Sequence, residues 1–454
     1  DIYTILNFTD FMTIKDVKFV YLPSVYRINK DKYENIREEV LKVVKSKFSD
    51  LLTRVNFDKL WVKNAFLNVP YLVNYGSISY ETLKAGFESL VGKPYVVLGA
   101  GYSGIFLLDV IKKYRDKIVL CVVDTALKTV LDFGIKPDFV FSLDSQFSNL
   151  KDFFGIDTSN LILLADILVS PELIRNFKGR VFLTKSSHLE IVNDVIFEMT
   201  NNAVSWIEEK LNYRILSLES GGSVSTNLFH FALLMGGDPV FLVGVDLGFP
   251  YIVSHSLGTP SHEFSVLKGD IFRTSDTFLV SSVLTDYVFL EGVKDKECIT
   301  HRIMETYKLW FDSASDTSDL KNVYNISDGV KLKGITNLST SEGKDLFVSI
   351  VSNKTSVKTS IETLNFDVRV NISKSNIVSE FKKLKNYLED VLHSFSETSF
   401  REIVKEYPFI INLTSKSLFS FYRGGKGFDE CLPDVVNDIK YLIKVIDYSL
   451  DSLR

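Results

Sequence analysis

Residues 95–104 read YVVLGAGYSG, and residues 118–146 read IVLCVVDTALKTVLDFGIKPDFVFSLDSQ. Three short apolar runs lie here, Tyr95–Leu98, Ile118–Val123 and Phe139–Leu143, and each finishes at Gly or Asp. A helix-length segment separates the first two, and a shorter helical turn with Lys136-Pro137-Asp138 separates the second and third. Apolar runs of that length alternating with helical segments are the pattern of parallel strands covered on both faces. The stretch predicts an α/β fold with a Rossmann-like, mostly parallel sheet, whose ligands bind at the carboxyl ends of the strands. Those ends carry Gly99–Ser103, Asp124 and Asp144.

Downstream, Leu161–Ala165, Arg180–Thr184, Arg214–Leu218 and Pro239–Val245 continue the strand series, with Pro171–Phe177, His188–Met199 and Val224–Met235 as helices between them. Upstream, Lys18–Leu22 reads as a short strand, and Asp31–Phe48 and Leu51–Leu67 as two helices. Residues 250–340 are richer in Gly, Ser, Thr and Asp and read as lids and loops over the strand ends. Ser375–Phe395 and Val435–Leu450 carry apolar residues at three- and four-residue steps, which predicts amphipathic helices. The expected division is an N-terminal module at 1–92, a central Rossmann-like domain at 93–345 and a helical C-terminal domain at 346–454.

Composition sets the class. With 46% hydrophobic and 24% charged residues over 454, the chain has ample material for a core. A net charge of −5 implies no general nucleic-acid surface. Cys121, Cys298 and Cys431 lie far apart with no paired spacing, which argues against a zinc site or a disulfide framework. No apolar run reaches the roughly 18–20 residues of a membrane span. The expectation is a cytoplasmic protein.

Gly99-Ala100-Gly101-Tyr102-Ser103-Gly104 runs from a strand into a helix, where backbone N–H groups and the helix terminus suit a phosphate. With Asp124 one strand later, the loop satisfies the dinucleotide-binding fingerprint, so an NAD-dependent oxidoreductase is one reading. Gly221, Gly222 and Ser223, within ESGGSVS, form a second small-residue loop entering a helix. Phe241–Val245 delivers Asp246 to a strand end, and His255 and His262 follow in the next loop. A neutral imidazole near a carboxylate is common general-base apparatus. There is no Gly-x-Ser-x-Gly elbow at a strand–helix turn and no Walker-type Gly-Lys-Ser/Thr loop, which disfavours a serine hydrolase and a P-loop kinase.

WVKNAFLNVPYL, PYVVLGAGYS, VVDTALKTVLDFGIKPDFVFSLDSQ, GGSVSTNLFHFALLMGGDPVFLVGVDL and VYNISDGVKLKGI, in that order, resemble the motility-associated factor (Maf) family of flagellin glycosyltransferases. The central domain is similar to that of the 6-hydroxymethylpterin pyrophosphokinase family and, in layout, to bacterial sialyltransferases. The resemblance implies transfer of a nonulosonic acid, such as pseudaminic or legionaminic acid, from its CMP-activated form to Ser or Thr of flagellin. On it, Gly99, Gly101 and Ser103 match the donor loop, Asp124 and Asp144 face the nucleotide, and Gly221, Gly222 and Ser223 form a second donor loop. Asp246 matches the strand end beyond, and His255 is the candidate base. Tyr102, Gly104 and Val245 stand where the family usually has Pro, Leu and Gln. Two further readings are a pyrophosphokinase using Mg²⁺ held by Asp124, Asp144 and Asp246, and an inactive flagellin-binding relative. The helical C-terminal domain is expected to recognise the protein acceptor.

Overall fold

The computed structural model describes residues 17–75, 88–192, 195–270, 274–317, 320–357 and 372–454. The described residues form strands β1 Tyr95–Leu98, β2 Val119–Val123, β3 Phe139–Ser142, β4 Ile162–Asp166, β5 Arg180–Val192, β6 Val195–Met199, β7 Leu216–Glu219, β8 Val240–Val243, β9 Tyr287–Glu291, β10 Glu297–His301, β11 Val323–Ile326 and β12 Thr336–Leu338. The main sheet runs β12-β11-β8-β1-β2-β3-β4-β5 with every pairing parallel, and β5 then takes β7 in parallel and β6 antiparallel. This is the α/β architecture with a mostly parallel sheet that the apolar runs predicted. β1, β2, β3 and β8 are buried along their whole length, because helices such as Asp124–Asp132 and Val224–Leu234 pack on them.

From β1 the strand order moves one way through β2, β3, β4 and β5, whereas β8, β11 and β12 lie on the other side of β1. The order reverses between β1 and β8, so the topological switch point lies between the loop at Gly99 and the loop at Gly244.

Four local expectations change. His188–Met199 is not a helix: it finishes β5 and forms β6, in register from His188 opposite Met199 to Val192 opposite Val195. Lys18–Leu22 forms no strand. Asp31–Phe48 and Leu51–Leu67 belong to one helix, Lys30–Tyr75. Residues 250–340 contain the helices Pro260–Leu267, Ser275–Val283 and Arg302–Thr317, the β9–β10 hairpin and two strands of the main sheet.

The chain separates into two compact units, Tyr71–Thr200 with Tyr213–Ile372, and Asp1–Pro70 with Asn201–Asn212 and Ser373–Arg454. The N- and C-terminal modules expected separately thus share one unit, joined by the helix Asn202–Leu211. Its core explains why. Phe66 stacks on Trp206 and packs on Phe381 and Phe409, so three distant pieces of sequence bury one aromatic cluster. The amphipathic faces of Lys374–Leu392 and Phe428–Ser452 pack on each other, burying Phe381, Leu384, Leu388, Ile439 and Leu442. Among the described residues, no helix is long and apolar enough to cross a membrane.

A buried carboxyl fixes this unit. Asn412 Nδ2 donates to Asp58 Oδ2 at 2.9 Å, and Asn202 Nδ2 donates to Asn412 Oδ1 at 2.8 Å. Burial pushes the Asp58 carboxyl up to about 6 despite that amide and the Arg54 guanidinium. Its folded pKa therefore exceeds the ordinary value of about 3.9, and the stability it contributes declines as pH rises from about 4 to about 6. Replacing Asn412 by Leu leaves the carboxylate without its amide donor. The expected loss is about 1–3 kcal/mol at pH 8 and less at pH 5, where the carboxyl is protonated; thermal melts at the two pH values check it.

Candidate active site

The glycine-rich loop after β1 and the loop after β8 meet at the switch point. A Cβ on Gly99 would lie 2.5 Å from the Gly244 carbonyl oxygen, and one on Gly101 would lie 2.6 Å from the Asp246 carboxylate. Gly244 itself has φ +64°, a conformation that side chains resist. The glycines are there because two backbones touch. Gly101 N–H donates to the Gly244 carbonyl at 2.8 Å, and Ser103 N–H donates to Asp246 Oδ2 at 2.9 Å. Ser327 Oγ donates to Asp246 Oδ1 at 2.7 Å, and Asp328 N–H donates to Ser103 Oγ at 3.0 Å. The Asp246 carboxylate, 3% exposed, thus sits against the N–H of the glycine-rich loop, where a dinucleotide fold places a phosphate. Burial raises its pKa, and hydrogen bonds from Ser103 and Ser327 oppose the rise. Gly99, Gly101, Ser103 and Asp246 are brought together as expected, but as a closed joint.

One strand along, Asp124 ends β2. Its Oδ1 accepts from Thr125 N–H at 2.8 Å, and its Oδ2 accepts from Ser142 Oγ at 2.7 Å and Asn149 Nδ2 at 2.9 Å. Asp144, beyond β3, accepts from Gln146 N–H at 2.9 Å and caps its own turn. Asp152, in the 3₁₀ turn Phe147–Phe153, escapes the sequence reading, because an Asp inside NLKDFF carries no motif. Its Oδ2 receives a weak bond from Thr125 Oγ1 at 3.4 Å, while Oδ1 is buried without a hydrogen-bond partner. Burial, then the neighbouring Asp124 charge, push the Asp152 carboxyl up to about 7.

The chain from Ser254 to Thr259 forms a strap across these strand ends. Ser256 donates from N–H to the Ala100 carbonyl at 2.9 Å and from Oγ to the Gly101 carbonyl at 2.6 Å. Thr129 Oγ1 donates to the Leu257 carbonyl at 3.1 Å, and Lys128 pairs with Glu263 at 2.8 Å. Between Gly99, Gly104, Ala126, Thr129 and Ser256 only about 10 Å³ remains, roughly one water. His255 lies within the strap, with Nδ1 3.2 Å from Ser254 Oγ. Burial and the Lys151 charge push its pKa down to about 4, so it is neutral at pH 7 but a weak base. His262 follows in the first turn of the next helix, its N–H donating to the capping Thr259 Oγ1 at 3.3 Å. A larger open cleft of about 610 Å³, among Lys59, Glu389, Lys440 and Lys444, lies in the helical unit and contains no strand-end residue.

The second loop does not join this site. Gly221, Gly222 and Ser223 follow β7, and β2, β3, β4 and β5 stand between β7 and β1 in the sheet. Their groups serve the loop itself: Gly221 N–H donates to Thr226 Oγ1 at 2.9 Å, Gly222 N–H to Ser220 Oγ at 3.2 Å, and Ser223 caps the helix through Ser225 N–H. A Cβ on Gly221 would lie 2.5 Å from Trp310. The Mg²⁺ set Asp124, Asp144 and Asp246 also fails, since Asp246 lies across the switch point and Asp124 and Asp246 are saturated by protein donors. Among the described residues, no group of three His, Cys, Asp or Glu is placed to hold a metal ion.

Replacing Asp246 by Ala leaves Ser103 N–H and Ser327 Oγ–H without their acceptor. The expected loss is on the order of 3 kcal/mol, for two buried groups at about 1–3 kcal/mol each. Inorganic phosphate is then expected to raise the melting temperature of Asp246→Ala but not of the wild type, since only the variant leaves the loop N–H open to an anion.

Comparison with known proteins follows this geometry. Residues 63–251 match the family model described as 6-hydroxymethylpterin diphosphokinase MptE-like. A 119-residue segment is 28% identical to an uncharacterized protein of Treponema pallidum (strain Nichols), covering 26% of this chain and 52% of that protein. The chain thus spans about half the length of that curated relative. It is also similar to the solved structure titled MAf glycosyltransferase from Magnetospirillum magneticum AMB-1, with 17% identity and a TM-score of 0.48 over 87% of this chain and 60% of that one. The MptE-like family to which the motifs pointed is among these matches. Residues 63–251, from within helix Lys30–Tyr75 to the loop beyond β8, are thus similar to the MptE-like family model.

Proposed function

We propose that the protein is an inverting glycosyltransferase that moves a pseudaminic- or legionaminic-type nonulosonic acid from its CMP-activated form to Ser or Thr hydroxyls of flagellin in the cytoplasm. One observation carries this reading over its rivals. The protein's own Asp246 takes the phosphate position of the glycine-rich loop, while Asp152, a buried carboxyl with one unpartnered oxygen, lies beside Asp124 at the end of β2. Such a site suits activation of a hydroxyl. It is poorly suited to NAD, whose pyrophosphate needs the loop that Asp246 fills, and to an ATP–Mg²⁺ diphosphokinase, whose metal needs free carboxylates.

The donor then lies over the ends of β1, β2 and β3, with Asp124, Ser142 and Asn149 as a fixed polar floor. The acceptor oxygen attacks the anomeric carbon, and CMP departs with the bonding electrons. Entry requires the strap to move, since it leaves so little space.

Incubation of the protein with CMP-pseudaminic or CMP-legionaminic acid and flagellin is expected to add one sugar mass per modified residue, read by intact-protein mass spectrometry. CMP should raise the melting temperature and ATP–Mg²⁺ should not. Stabilisation by ATP–Mg²⁺ together with diphosphate transfer to a hydroxymethylpterin would replace this reading by the kinase. His255→Gln is expected to lower kcat by less than about tenfold, below the 10²–10⁴ of a general base, because a group titrating at about 4 takes a proton poorly at pH 7.

A further inference from the structure

Four ionisable groups gather at the ends of β2 and β3, and hydrogen bonding separates their roles. Both oxygens of Asp124 are taken, by Thr125 N–H on one side and by Ser142 and Asn149 on the other. Asp144 is spent on its own turn. His255 has Ser254 as its ring partner and is held neutral. Asp152 keeps a buried carboxylate oxygen with no hydrogen-bond partner, in a residue 2% exposed, as Asp166 does one strand further along at the end of β4. A buried lone pair left unmade costs free energy and needs a physical reason, such as a bound water or a catalytic role.

The neighbours of Asp152 are defined on each side. The helix Asp124–Asp132 presents Asp124 and Thr125, the β3 end presents Asp144, and its own turn presents Lys151. The helix Pro171–Asn176 also packs on this turn, but its Glu172 accepts from Ser170 and its Arg175 donates to Tyr71. Burial and the two aspartates therefore oppose Lys151, and the carboxyl is set near about 7.

Resting on the glycosyl-transfer reading, we infer that Asp152 is the general base, its free Oδ1 accepting the proton of the attacking hydroxyl at the ends of β2 and β3. As the acceptor O–H bond breaks toward Asp152, the oxygen bonds to the anomeric carbon. The carbon–phosphate ester bond breaks in the same step, and its electron pair leaves on CMP. A base whose pKa matches the working pH is the efficient choice, and Asp152 meets that condition where His255 does not.

The test is the pH profile of kcat/KM for CMP release from CMP-pseudaminic acid in the presence of flagellin. The wild type should show a limb rising through about pH 7, where Asp152 ionises. Asp152→Asn should lose on the order of 10²–10⁴-fold and the limb with it. Asp152→Glu should keep a displaced limb, and His255→Gln should keep the wild-type one. Asp152→Asn should also melt no lower than the wild type at pH 8, where the buried charge is unfavourable, so lost activity is not lost folding. A wild-type limb persisting in Asp152→Asn at near-normal turnover would overturn the inference while leaving the transferase reading intact, with Oδ1 holding a structural water. No CMP release by the wild type at any pH would overturn the reading and the inference together.

Discussion

The Asp246 carboxylate is the constraint on which the α/β unit depends. It ties the loop after β1, through Ser103 N–H, to Ser327 after β11, and its own carbonyl accepts from Val330 N–H at 2.8 Å. Three loops that are far apart in sequence converge on one side chain where the strand order reverses. The close approach that this requires explains the glycines at 99, 101 and 244, and at 329, where an added Cβ would lie 2.1 Å from the Asp246 carbonyl oxygen. A buried carboxylate is tolerable there because every bond it accepts comes from a donor otherwise left unpaired.

Closing the switch point in this way moves the chemistry sideways. The crevice that holds pyrophosphate in dinucleotide folds is sealed, and buried unpartnered carboxylate oxygens lie instead on Asp152, in the turn beyond β3, and on Asp166, at the end of β4. The strap from Ser254 to Thr259 belongs to the same logic: it is anchored on the carbonyls of Ala100 and Gly101, so the loop that gives Ser103 N–H to Asp246 and Gly101 N–H to Gly244 offers its C=O groups to the lid. Site and lid are therefore coupled through one short loop. Burial raises the pKa of both carboxyls beneath; Asp124 is surrounded by donors that oppose the rise, whereas Asp152 has only the weak bond from Thr125.

The sequence by itself determined the local and periodic features of this protein. Runs such as Val119–Val123, buried on both faces, had to be central parallel strands, and the heptad-like spacing in Ser375–Phe395 had to be an amphipathic helix. The segments that carry the resemblance were legible for the same reason, since they are built on strands, strand-end turns and helices such as β1 with its glycine-rich loop and Val224–Leu234 before β8. Tertiary structure decided everything that depends on which strand ends meet. Asp246 reads as a free strand-end carboxylate until Ser103 and Ser327 are brought to it, and Gly221–Ser223 reads as a second donor loop until four strands are set between it and β1. His188–Met199 became strand because the pairing of the end of β5 with β6 outweighs weak helical spacing. His255 lost its ordinary pKa to burial, and Asp152 gained its role from the same cause. Spacing along a chain fixes periodicity, but desolvation and hydrogen-bond saturation are properties of the packed neighbourhood, which only the fold assembles.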